Sequence, residues 1–392
     1  MTTPHFIGGN ALTLLTNGEE YFPALIKAID GALHQVHLET YIFELDATGR
    51  QIADALKNAA QRGVGVHVLV DGYGSQTLPK TFIAEMLAAG VEWLIFRPAI
   101  SPWTLKRVRL RRLHRKLAVV DGRIAFATGI NIIDDLNPPA LEAPRFDYAV
   151  TVQGPLVAEM HRAVSHLWML TAWSQLKRRW ARREKNKSQS AEFAPPHPAG
   201  KQRAALVMRD NFRHRRDIER EYLRAIGHAR EEIIISNSYF LPGARFRRAL
   251  VAAAARGVRV VLLLQGRVEY RLQHYATHAL YGSLLDAGVE IHEYHKSFLH
   301  GKVAVIDTHW ATVGSSNIDP FSLLLSREAN VVAMDTAFAT ELRDSLNLAI
   351  KNDSTRIGRA NWHNQPWLNR VLSWISYGIV RFLRGMVGYG KY

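Results

Sequence analysis

The sequence contains no cysteine. This excludes disulfide bonds and cysteine-ligated metal sites, and it fits a reducing compartment. The chain also lacks a run of the roughly 20 apolar residues that a membrane-spanning helix needs. Its first residues, "MTTPHFIGGNALTLL", show neither the basic region nor the apolar core of a secretory signal. We therefore expect a protein that is made and kept in the cytoplasm.

Acidic residues are few compared with basic ones. Asp and Glu number 35 against 50 for Lys and Arg, which gives a net charge of +15 with His neutral. This excess favours a polyanionic partner, either nucleic acid or an anionic membrane surface. At 47% hydrophobic and 22% charged residues the chain is typical of folded globular proteins. Its 392 residues predict two domains or one large two-part unit.

The two halves of the chain resemble each other. The stretch "NAAQRGVGVHVLVDG" matches "VAAAARGVRVVLLLQG", and "MLAAGVEWLIF" matches "LLDAGVEIHEY". Helical segments that alternate with short β-branched strands are typical of α/β units. We therefore predict an α/β fold of two pseudo-symmetric repeats, each a mainly parallel mixed sheet flanked by helices. A site could then be shared between the repeats.

Composition divides the chain into four segments. The first repeat covers residues 1–174 and the second covers residues 204–350. Between them, residues 175–203 are basic and then rich in Ser, Pro and Gly, as in a surface linker. Residues 351–392 form an amphipathic segment that we assign to a membrane interface.

Each half carries the same short motif, His-x-Lys-x4-Asp. "HRKLAVVD" begins at His114 and "HGKVAVID" begins at His300. On a strand, residues i and i+2 point to the same face, so His114 projects with Lys116 and His300 projects with Lys302. One such motif would be a weak signal of function. Two copies inside a repeat favour a functional site, because side-chain packing alone does not explain why the same polar residues recur.

Two such His/Lys pairs suit phosphoryl transfer. One imidazole can attack phosphorus as a nucleophile, and the other can protonate the departing alcohol. The two ammonium groups stabilise negative charge on the non-bridging oxygens. Because lysines take over this electrostatic task, we expect no metal and no other cofactor.

Four acids accompany the motifs. Asp147 and Glu328 each open a later strand and are candidates to hold the second ring nitrogen of a histidine and so set its tautomer. Asp121 and Asp307 end the motifs themselves, where they are better suited to fixing a turn than to touching substrate. As the catalytic carboxylate we expect Glu328 rather than Asp121 or Asp307.

The duplicated motifs, the "GSSN" that follows the second one and the trailing acids resemble the phospholipase D superfamily. Within it, the chain resembles bacterial cardiolipin synthases of the B type, and the similarity runs from "LTLLTNGEEYFPALIKAI" to "REANVVAMD". The resemblance implies transfer of a phosphatidyl group through a histidine adduct. Two phosphatidylglycerol molecules would give cardiolipin and glycerol.

The resemblance also implies roles for the motif residues. His114 would be the nucleophile, His300 the general acid and base, and the two motif lysines the phosphate ligands. The family's phosphate-site positions fall on Asn131, Asn317 and Ser315. One departure matters: the first copy reads "TGIN" where the family favours Gly-Ser-x-Asn. Any hydroxyl role therefore rests on Ser315, and the two half-sites are chemically unequal.

Two stretches mix aromatic, apolar and basic residues, namely "LIFRPAISPWTLKRVRLRRLHRK" and the tail "PWLNRVLSWISYGIVRFLRGMVGYGKY". The tail is interrupted by arginines and fits an interfacial helix, with its aromatic residues near lipid headgroups. Each stretch has an alternative to lipid contact: the tail could cap a sheet, and the stretch before His114 could be a solvated basic loop. We expect the partners to be anionic phospholipid, namely phosphatidylglycerol, and the cytoplasmic face of the bacterial inner membrane, bound peripherally.

Other functions stay open at this point. Water as the acceptor would give a phospholipase D-type hydrolase, and single-motif relatives in the superfamily act on nucleic acids as dimers. We expect no nucleic acid partner, because the aromatic residues lie in apolar runs and no sequence-reading module is present. A catalytically silent membrane-binding scaffold is a third possibility. The sequence does not reveal the acceptor alcohol or the oligomeric state.

Overall fold

A computed structural model describes residues 4–98, 111–136, 143–177, 180, 197–210, 214–319, 326–364 and 366–386. We call residues 4–177 the first half and residues 197–386 the second half. The helices of the first half are α1 (Asn17–Asp30), α2 (Ala47–Gln61), α3 (Lys80–Ala88) and α4 (Leu156–Ser174). Its strands are β1 (Ile7–Thr16), β2 (Gln35–Thr40), β3 (Gly65–Asp71), β4 (Glu92–Phe96), β5 (Arg112–Leu113), β6 (Lys116–Val120), β7 (Ile124–Thr128) and β8 (Tyr148–Gln153).

The second half repeats this order and then extends it. Its strands are β9 (Gln202–Arg209), β10 (Glu232–Asn237), β11 (Arg259–Gln265), β12 (Glu290–Tyr294), β13 (Lys302–Ile306), β14 (Trp310–Gly314), β15 (Ser326–Met334) and β16 (Ser354–Arg356). Its helices are α5 (Asp217–His228), α6 (Ala244–Ala255), α7 (Arg271–Asp286), α8 (Thr336–Asp353), α9 (Arg359–His363) and α10 (Trp367–Met386).

The strands of both halves join in one large sheet. Its order is β16-β12-β11-β10-β13-β14-β15-β9-β1-β8-β7-β6-β2-β3-β4, and β5 pairs with β15 off this path. Outward from the β1–β9 contact, the strands of the two halves follow in corresponding order. The prediction of two similar α/β units, each a mixed sheet flanked by helices, is confirmed.

The parallel part of each half-sheet is smaller than the sequence indicates. Parallel pairing joins β2 to β3 and β3 to β4 in the first half, and β10 to β11 and β11 to β12 in the second. The motif strands pair antiparallel with both of their neighbours. Their hairpins leave no room for a crossover helix, which parallel neighbours require. Each half is therefore a mixed sheet with three parallel strands at its outer side.

The repeated helix-turn-strand stretches fold alike because glycine ends each turn. Gly63 follows α2 with φ +90°, and Gly257 follows α6 with φ +88°. Both values lie in the left-handed region, which glycine enters without steric cost. The chain then enters the buried strands β3 and β11.

The halves share one hydrophobic core. In the first half, Leu117 and Val119 of the motif strand β6 are 1% exposed, and in the second half Val303 and Val305 of β13 are 0% and 2% exposed. All four belong to the same buried cluster, to which α4 and α8 also contribute. This shared packing holds the two motif strands in a set relation to each other.

The C-terminal residues pack on the second half. β16 pairs with β12, and α10 lies against α7. Among the described residues, no helix is both long and apolar enough to cross a membrane. Most of the predicted linker 175–203 and the middle of the basic stretch before His114 lie outside the described residues. The domain limits stay a prediction.

Candidate active site

His114 lies just before β6 and is held by a strand of the other half. The backbone N–H groups of His114 and Arg115 donate to the carbonyl oxygen of Arg327 in β15 at 3.0 and 2.7 Å. The next residue of β15, Glu328, places a carboxylate oxygen 3.1 Å from Nδ1 of the His114 ring. This contact selects the tautomer with hydrogen on Nδ1, so the lone pair of Nε2 is available to react.

His300 repeats the arrangement in the opposite direction. The N–H groups of His300 and Gly301 donate to the carbonyl oxygen of Phe146 at 2.8 and 2.9 Å. The following residue, Asp147, lies 2.6 Å from Nδ1 of the His300 ring. Each histidine therefore depends on a carboxylate from the opposite half, and neither half contains a complete histidine–acid pair.

The two motif lysines are buried beside these pairs. Lys116 is 2% exposed and Lys302 is 0% exposed. The Nζ of Lys116 donates to the carbonyl oxygen of His114 at 2.7 Å, and the Nζ of Lys302 donates to that of His300. Lys302 also lies 3.6 Å from the Asp147 carboxylate. Both ammonium groups thus stand next to their own histidine, as a phosphate site requires.

Burial lowers the pKa of both motif lysines. Burial, and then the charge of Lys302, lower the pKa of Lys116 to about 7. Burial also lowers the pKa of Lys302, against the attraction of Asp147. An anion between the two lysines would offset both effects, because it favours the charged form of each.

His300 and Asp147 each affect the pKa of the other. Burial, and then Lys302, lower the pKa of His300 to about 3, although Asp147 acts in the opposite direction. Burial alone would raise the pKa of Asp147, but Lys302 and His300 outweigh it and keep that pKa below its usual value. Asp147 is therefore ionised and His300 neutral in the unliganded site at neutral pH.

Asp121 and Asp307 lie at the opposite ends of the motif strands, away from the histidines. Asp121 accepts hydrogen bonds from three consecutive backbone N–H groups, those of residues 33–35, each at 2.8 Å. Asp307 does the same with residues 230–232 at 2.8 to 3.0 Å. Both carboxylates tie a hairpin to the start of the neighbouring strand, so the geometry supports a structural role for them.

The predicted phosphate-site residues differ in their hydrogen-bond partners: the two Asn side chains bond to the segment after a neighbouring strand, and Ser315 bonds to the Glu328 carboxylate. The side-chain oxygen of Asn131 accepts from the N–H of Ile42 at 3.2 Å, and that of Asn317 accepts from the Ser238 hydroxyl at 2.8 Å. The hydroxyl of Ser315 donates to Glu328 at 2.5 Å and is fully buried. The Ser315 hydroxyl therefore positions the Glu328 carboxylate, and its predicted contact with phosphate stays a prediction.

The missing serine of the first motif copy has a steric explanation. Gly129 takes the place that Ser315 has in the second half. A Cβ atom at Gly129 would lie well inside van der Waals contact of the Asp147 carboxylate. The carboxylate of Asp147 thus fills the space that a side chain at this position would need, and the two half-sites differ for this reason.

Tyr41 belongs to the site although its chemistry was not predicted. Its ring centroid lies 4.9 Å from that of His114, and the Nζ of Lys116 lies 5.7 Å from it. Burial raises its pKa, so the phenol stays protonated. The repeat provides no signal for it, because Ser238 stands at the corresponding position of the second half: Tyr41 directly follows β2, and Ser238 directly follows β10.

Taken together, these groups can perform a two-step displacement at phosphorus. Two imidazoles each present an Nε2 whose partner nitrogen faces a carboxylate, and two buried ammonium groups lie beside them. Within the described ranges, no three His, Asp or Glu side chains are placed to hold a metal ion. The available chemistry is covalent and acid–base catalysis with electrostatic stabilisation by lysine.

Comparison with known proteins agrees with this chemistry. The family model "Cardiolipin synthase, PLD-like domain" matches residues 25–168 and 222–349. The chain is 42% identical to Cardiolipin synthase B of Escherichia coli (strain K12), over 97% of its own length and 90% of that protein. It is 28% identical to Cardiolipin synthase 1 of Bacillus cereus, over 92% of this chain and 70% of that one.

Solved structures support the fold alone. A phosphatidylserine synthase of Haemophilus influenzae Rd KW20 matches with a TM-score of 0.69 at 13% identity, covering 96% of this chain and 94% of that one. A polyphosphate kinase of Porphyromonas gingivalis matches with a TM-score of 0.56 at 13% identity, covering 96% and 53%. The resemblance found in the motifs is confirmed: the chain belongs to the cardiolipin synthase family of phospholipase D-like proteins.

Proposed function

We propose that this protein is a cardiolipin synthase that transfers the phosphatidyl group of one phosphatidylglycerol to a hydroxyl of a second. The observation that carries the proposal is the crossed pair of histidine–acid contacts around two buried lysines. It occurs in a chain that is 42% identical to Cardiolipin synthase B of Escherichia coli over nearly its whole length.

The reaction runs in two displacements. In the first, Nε2 of His114 attacks phosphorus, the bond between phosphorus and the glycerol oxygen breaks, and His300 gives that oxygen a proton. In the second, a hydroxyl of the next phosphatidylglycerol attacks phosphorus, the phosphorus–nitrogen bond breaks, and the hydroxyl proton passes to Nε2 of His300. Lys116 and Lys302 stabilise the non-bridging oxygens throughout.

His300 must be protonated before it can act as an acid. In the unliganded site its pKa is about 3, because of burial and the charge of Lys302. The phosphodiester brings a negative charge between the lysines and thereby removes much of this repulsion. Substrate binding and protonation of His300 are therefore coupled, so the acid forms when the phosphodiester is in place.

Helix α10 is the segment that we assign to the membrane surface. Among the side chains of α10 that the structure describes, the exposed ones are largely apolar: Trp367, Val371, Leu372, Trp374, Ile375, Ile379 and Phe382. We call these seven residues the apolar face of α10. The side turned to the protein instead buries the polar side chains of Ser373 and Ser376, together with Val380.

This distribution is the reverse of that in an ordinary surface helix, which buries its apolar side. An exposed apolar face of this length favours contact with an apolar medium. Arg370 and Arg381 are exposed on the same helix and would meet anionic headgroups. The occupant that fits both features is an anionic bilayer, which we take to be the cytoplasmic face of the bacterial inner membrane.

The test is a product analysis. Purified protein is incubated with phosphatidylglycerol vesicles, and lipids and released glycerol are measured by mass spectrometry. Cardiolipin and glycerol in equal amounts are expected, with no product from a His114→Ala or His300→Ala variant. Phosphatidic acid as the sole product would indicate hydrolysis. Cleavage of DNA with the lipid unchanged would show that the lipid assignment is wrong.

A further inference from the structure

A cleft opens beside His300 at the carboxyl ends of the parallel strands β10 and β11. Its empty space, about 370 Å³, is continuous with open solvent. Open α/β sheets bind ligands in crevices at the carboxyl ends of their strands. The position of the cleft therefore suits a small ligand.

Two hydrogen bonds connect the wall of this cleft to the catalytic site. Ser238 donates to the side-chain oxygen of Asn317 at 2.8 Å. Gln265 accepts from the N–H of Leu299, the residue before His300, at 2.9 Å. Both Ser238 and Gln265 line the cleft. A ligand held there would thus lie next to the chain segment that carries His300.

The first half has the same connection but a different side chain. Asp71 stands where Gln265 stands in the second half, and it accepts from the N–H of Leu113, the residue before His114, at 2.8 Å. Its other oxygen accepts from the N–H groups of Tyr73 and Gly74 at 2.9 and 3.1 Å. Backbone N–H groups thus engage both oxygens of this carboxylate, which reduces the hydrogen-bonding capacity left for a ligand.

In the second half the amide leaves such capacity in the cleft wall. The side-chain nitrogen of Gln265 and the side-chain oxygen of Gln273 are buried and have no hydrogen-bond partner within the described part of the chain. Both residues line the cleft. Buried polar groups without partners are costly, which indicates that a ligand or water completes them. One donor and one acceptor together match an alcohol, since a hydroxyl group both accepts and donates.

Two side chains of opposite charge, Arg267 and Glu269, line the cleft among neutral groups, and the Nε of Arg267 donates to the carbonyl oxygen of His295 at 2.7 Å. Burial, and then His278, lower the pKa of His274 to about 4, so this ring is neutral at physiological pH. Burial raises the pKa of Tyr239 and of Tyr270, and both phenols stay protonated. The Glu269 carboxylate is engaged by the Tyr239 hydroxyl at 2.5 Å. Because the Arg267 guanidinium and the Glu269 carboxylate are opposite in charge and each has a partner within the protein, these walls suit a neutral polyol.

We infer that this cleft is the acceptor-alcohol subsite and binds the glycerol moiety whose hydroxyl attacks the phosphatidyl-histidine. The inference rests on the proposed function and names a part of its site. The ligand chemistry is a vicinal polyol, supplied either by a phosphatidylglycerol headgroup or by free glycerol. As the acceptor oxygen bonds to phosphorus, the phosphorus–nitrogen bond to His114 breaks and the hydroxyl proton moves to His300.

The experiment separates the donor step from the acceptor step. A phosphatidyl donor with p-nitrophenol as its leaving group reports adduct formation as a burst of colour, whatever the acceptor. The products then divide among phosphatidic acid from water, phosphatidylglycerol from added glycerol, and cardiolipin from phosphatidylglycerol vesicles. The variants are Gln273→Leu and Thr277→Val, which change two lining residues of α7. Gln61→Leu, at an exposed position at the end of α2, is the matched control.

For Gln273→Leu we expect a burst within about two-fold of the unmodified protein and at least a ten-fold rise in the glycerol concentration that gives half-maximal transfer. That factor corresponds to about 1.4 kcal/mol, within the range for one hydrogen bond. Products should shift to phosphatidic acid in both acceptor arms, with a smaller shift in the same direction for Thr277→Val. Gln61→Leu should behave like the unmodified protein.

Unchanged partition in both cleft variants would overturn the inference. A shift confined to the vesicle arm would also overturn it, because the cleft would then hold another part of the acceptor lipid. Loss of the burst in the unmodified protein would instead contradict the proposed function, so the two failures are distinguishable.

Discussion

At the scale of single residues, the site is asymmetric where the motifs differ. Glu328 is held by the Ser315 hydroxyl, whereas Asp147 occupies the space next to Gly129. In each half, the acid contacts the position two residues before the motif Asn. This position is Gly129 in the first half and Ser315 in the second. The difference between "TGIN" and "GSSN" therefore accompanies a different packing of the acid in each half.

Gly129→Ala should abolish most activity, while Gly301→Ala should retain it. A Cβ atom at Gly129 displaces the Asp147 carboxylate from His300, whereas at Gly301 the nearest atoms lie 3.6 Å away, an ordinary contact. We expect kcat to fall roughly 10²- to 10⁴-fold for Gly129→Ala, as when a histidine loses its orienting acid, and to change less than about three-fold for Gly301→Ala. Equal activity of the two variants in the cardiolipin assay would contradict this assignment.

The affinity for phosphatidylglycerol should depend on pH through Lys116. Its pKa is lowered to about 7, so the protonated fraction that attracts phosphate falls as the pH rises above 7. We expect KM to rise roughly ten-fold per pH unit above that value, since only the ammonium form binds. In Lys116→Arg the guanidinium keeps its charge and KM should stay flat, whatever the loss in kcat. A KM of the unmodified protein that is constant up to pH 9 would refute this.

The sequence predicts the role of a residue when that residue occurs in both halves. It does not predict a role that depends on a contact with another side chain. The histidines, lysines and acids repeat in both halves and were predicted. The function of Ser315 was not, because its hydroxyl points to an acid 13 residues away in sequence. Gln265 and Gln273 carried no signal at all, since their importance comes from the hydrogen bonds that they lack.

At the scale of elements, the structure shows which side of the C-terminal helix α10 packs against the protein. The sequence predicts an amphipathic helix, and an amphipathic helix can turn either side to the protein. In the structure α10 buries Ser373 and Ser376 against the second half and leaves Trp374 and Ile375 60% and 54% exposed. Its apolar face is thereby available to a membrane.

Trp374→Glu combined with Ile375→Glu should weaken binding to anionic vesicles. Two large apolar side chains would be replaced by charges that anionic lipid repels, so we expect a loss of at least ten-fold in sedimentation with phosphatidylglycerol vesicles. Activity on phosphatidylglycerol dispersed in detergent should stay within about two-fold. Leu348→Glu, at a position of α8 that is 61% exposed, is the control and should not affect vesicle binding. Full vesicle binding by the double variant would show that α10 is not the docking element.

At the scale of the whole molecule, the repeat produces one site from two halves. His114 takes its acid from β15, and His300 takes its acid from Asp147, the residue before β8. The backbone contacts to Arg327 and Phe146 tie the same strands together. Because one chain supplies all four groups, the site requires no second copy of the protein.

Mixing a His114→Ala variant with a His300→Ala variant should not restore activity. Each chain would still lack one histidine in its single site, and the shared core prevents exchange of halves. We expect cardiolipin formation by the mixture to equal the sum of the two variants measured separately. Recovery toward one quarter or more of the unmodified rate would show instead that two chains combine to form the site.

The sequence by itself determined the α/β repeat, both His-x-Lys-x4-Asp motifs and the acids that follow them. These features are local or occur twice, and strand periodicity places His and Lys on one face without knowledge of the rest. Only the tertiary structure decided that the acids cross between halves, that Ser315 holds Glu328, and that a cleft with incomplete hydrogen bonds opens beside His300. These depend on contacts between segments far apart in the chain, and the packing of the shared core sets such contacts.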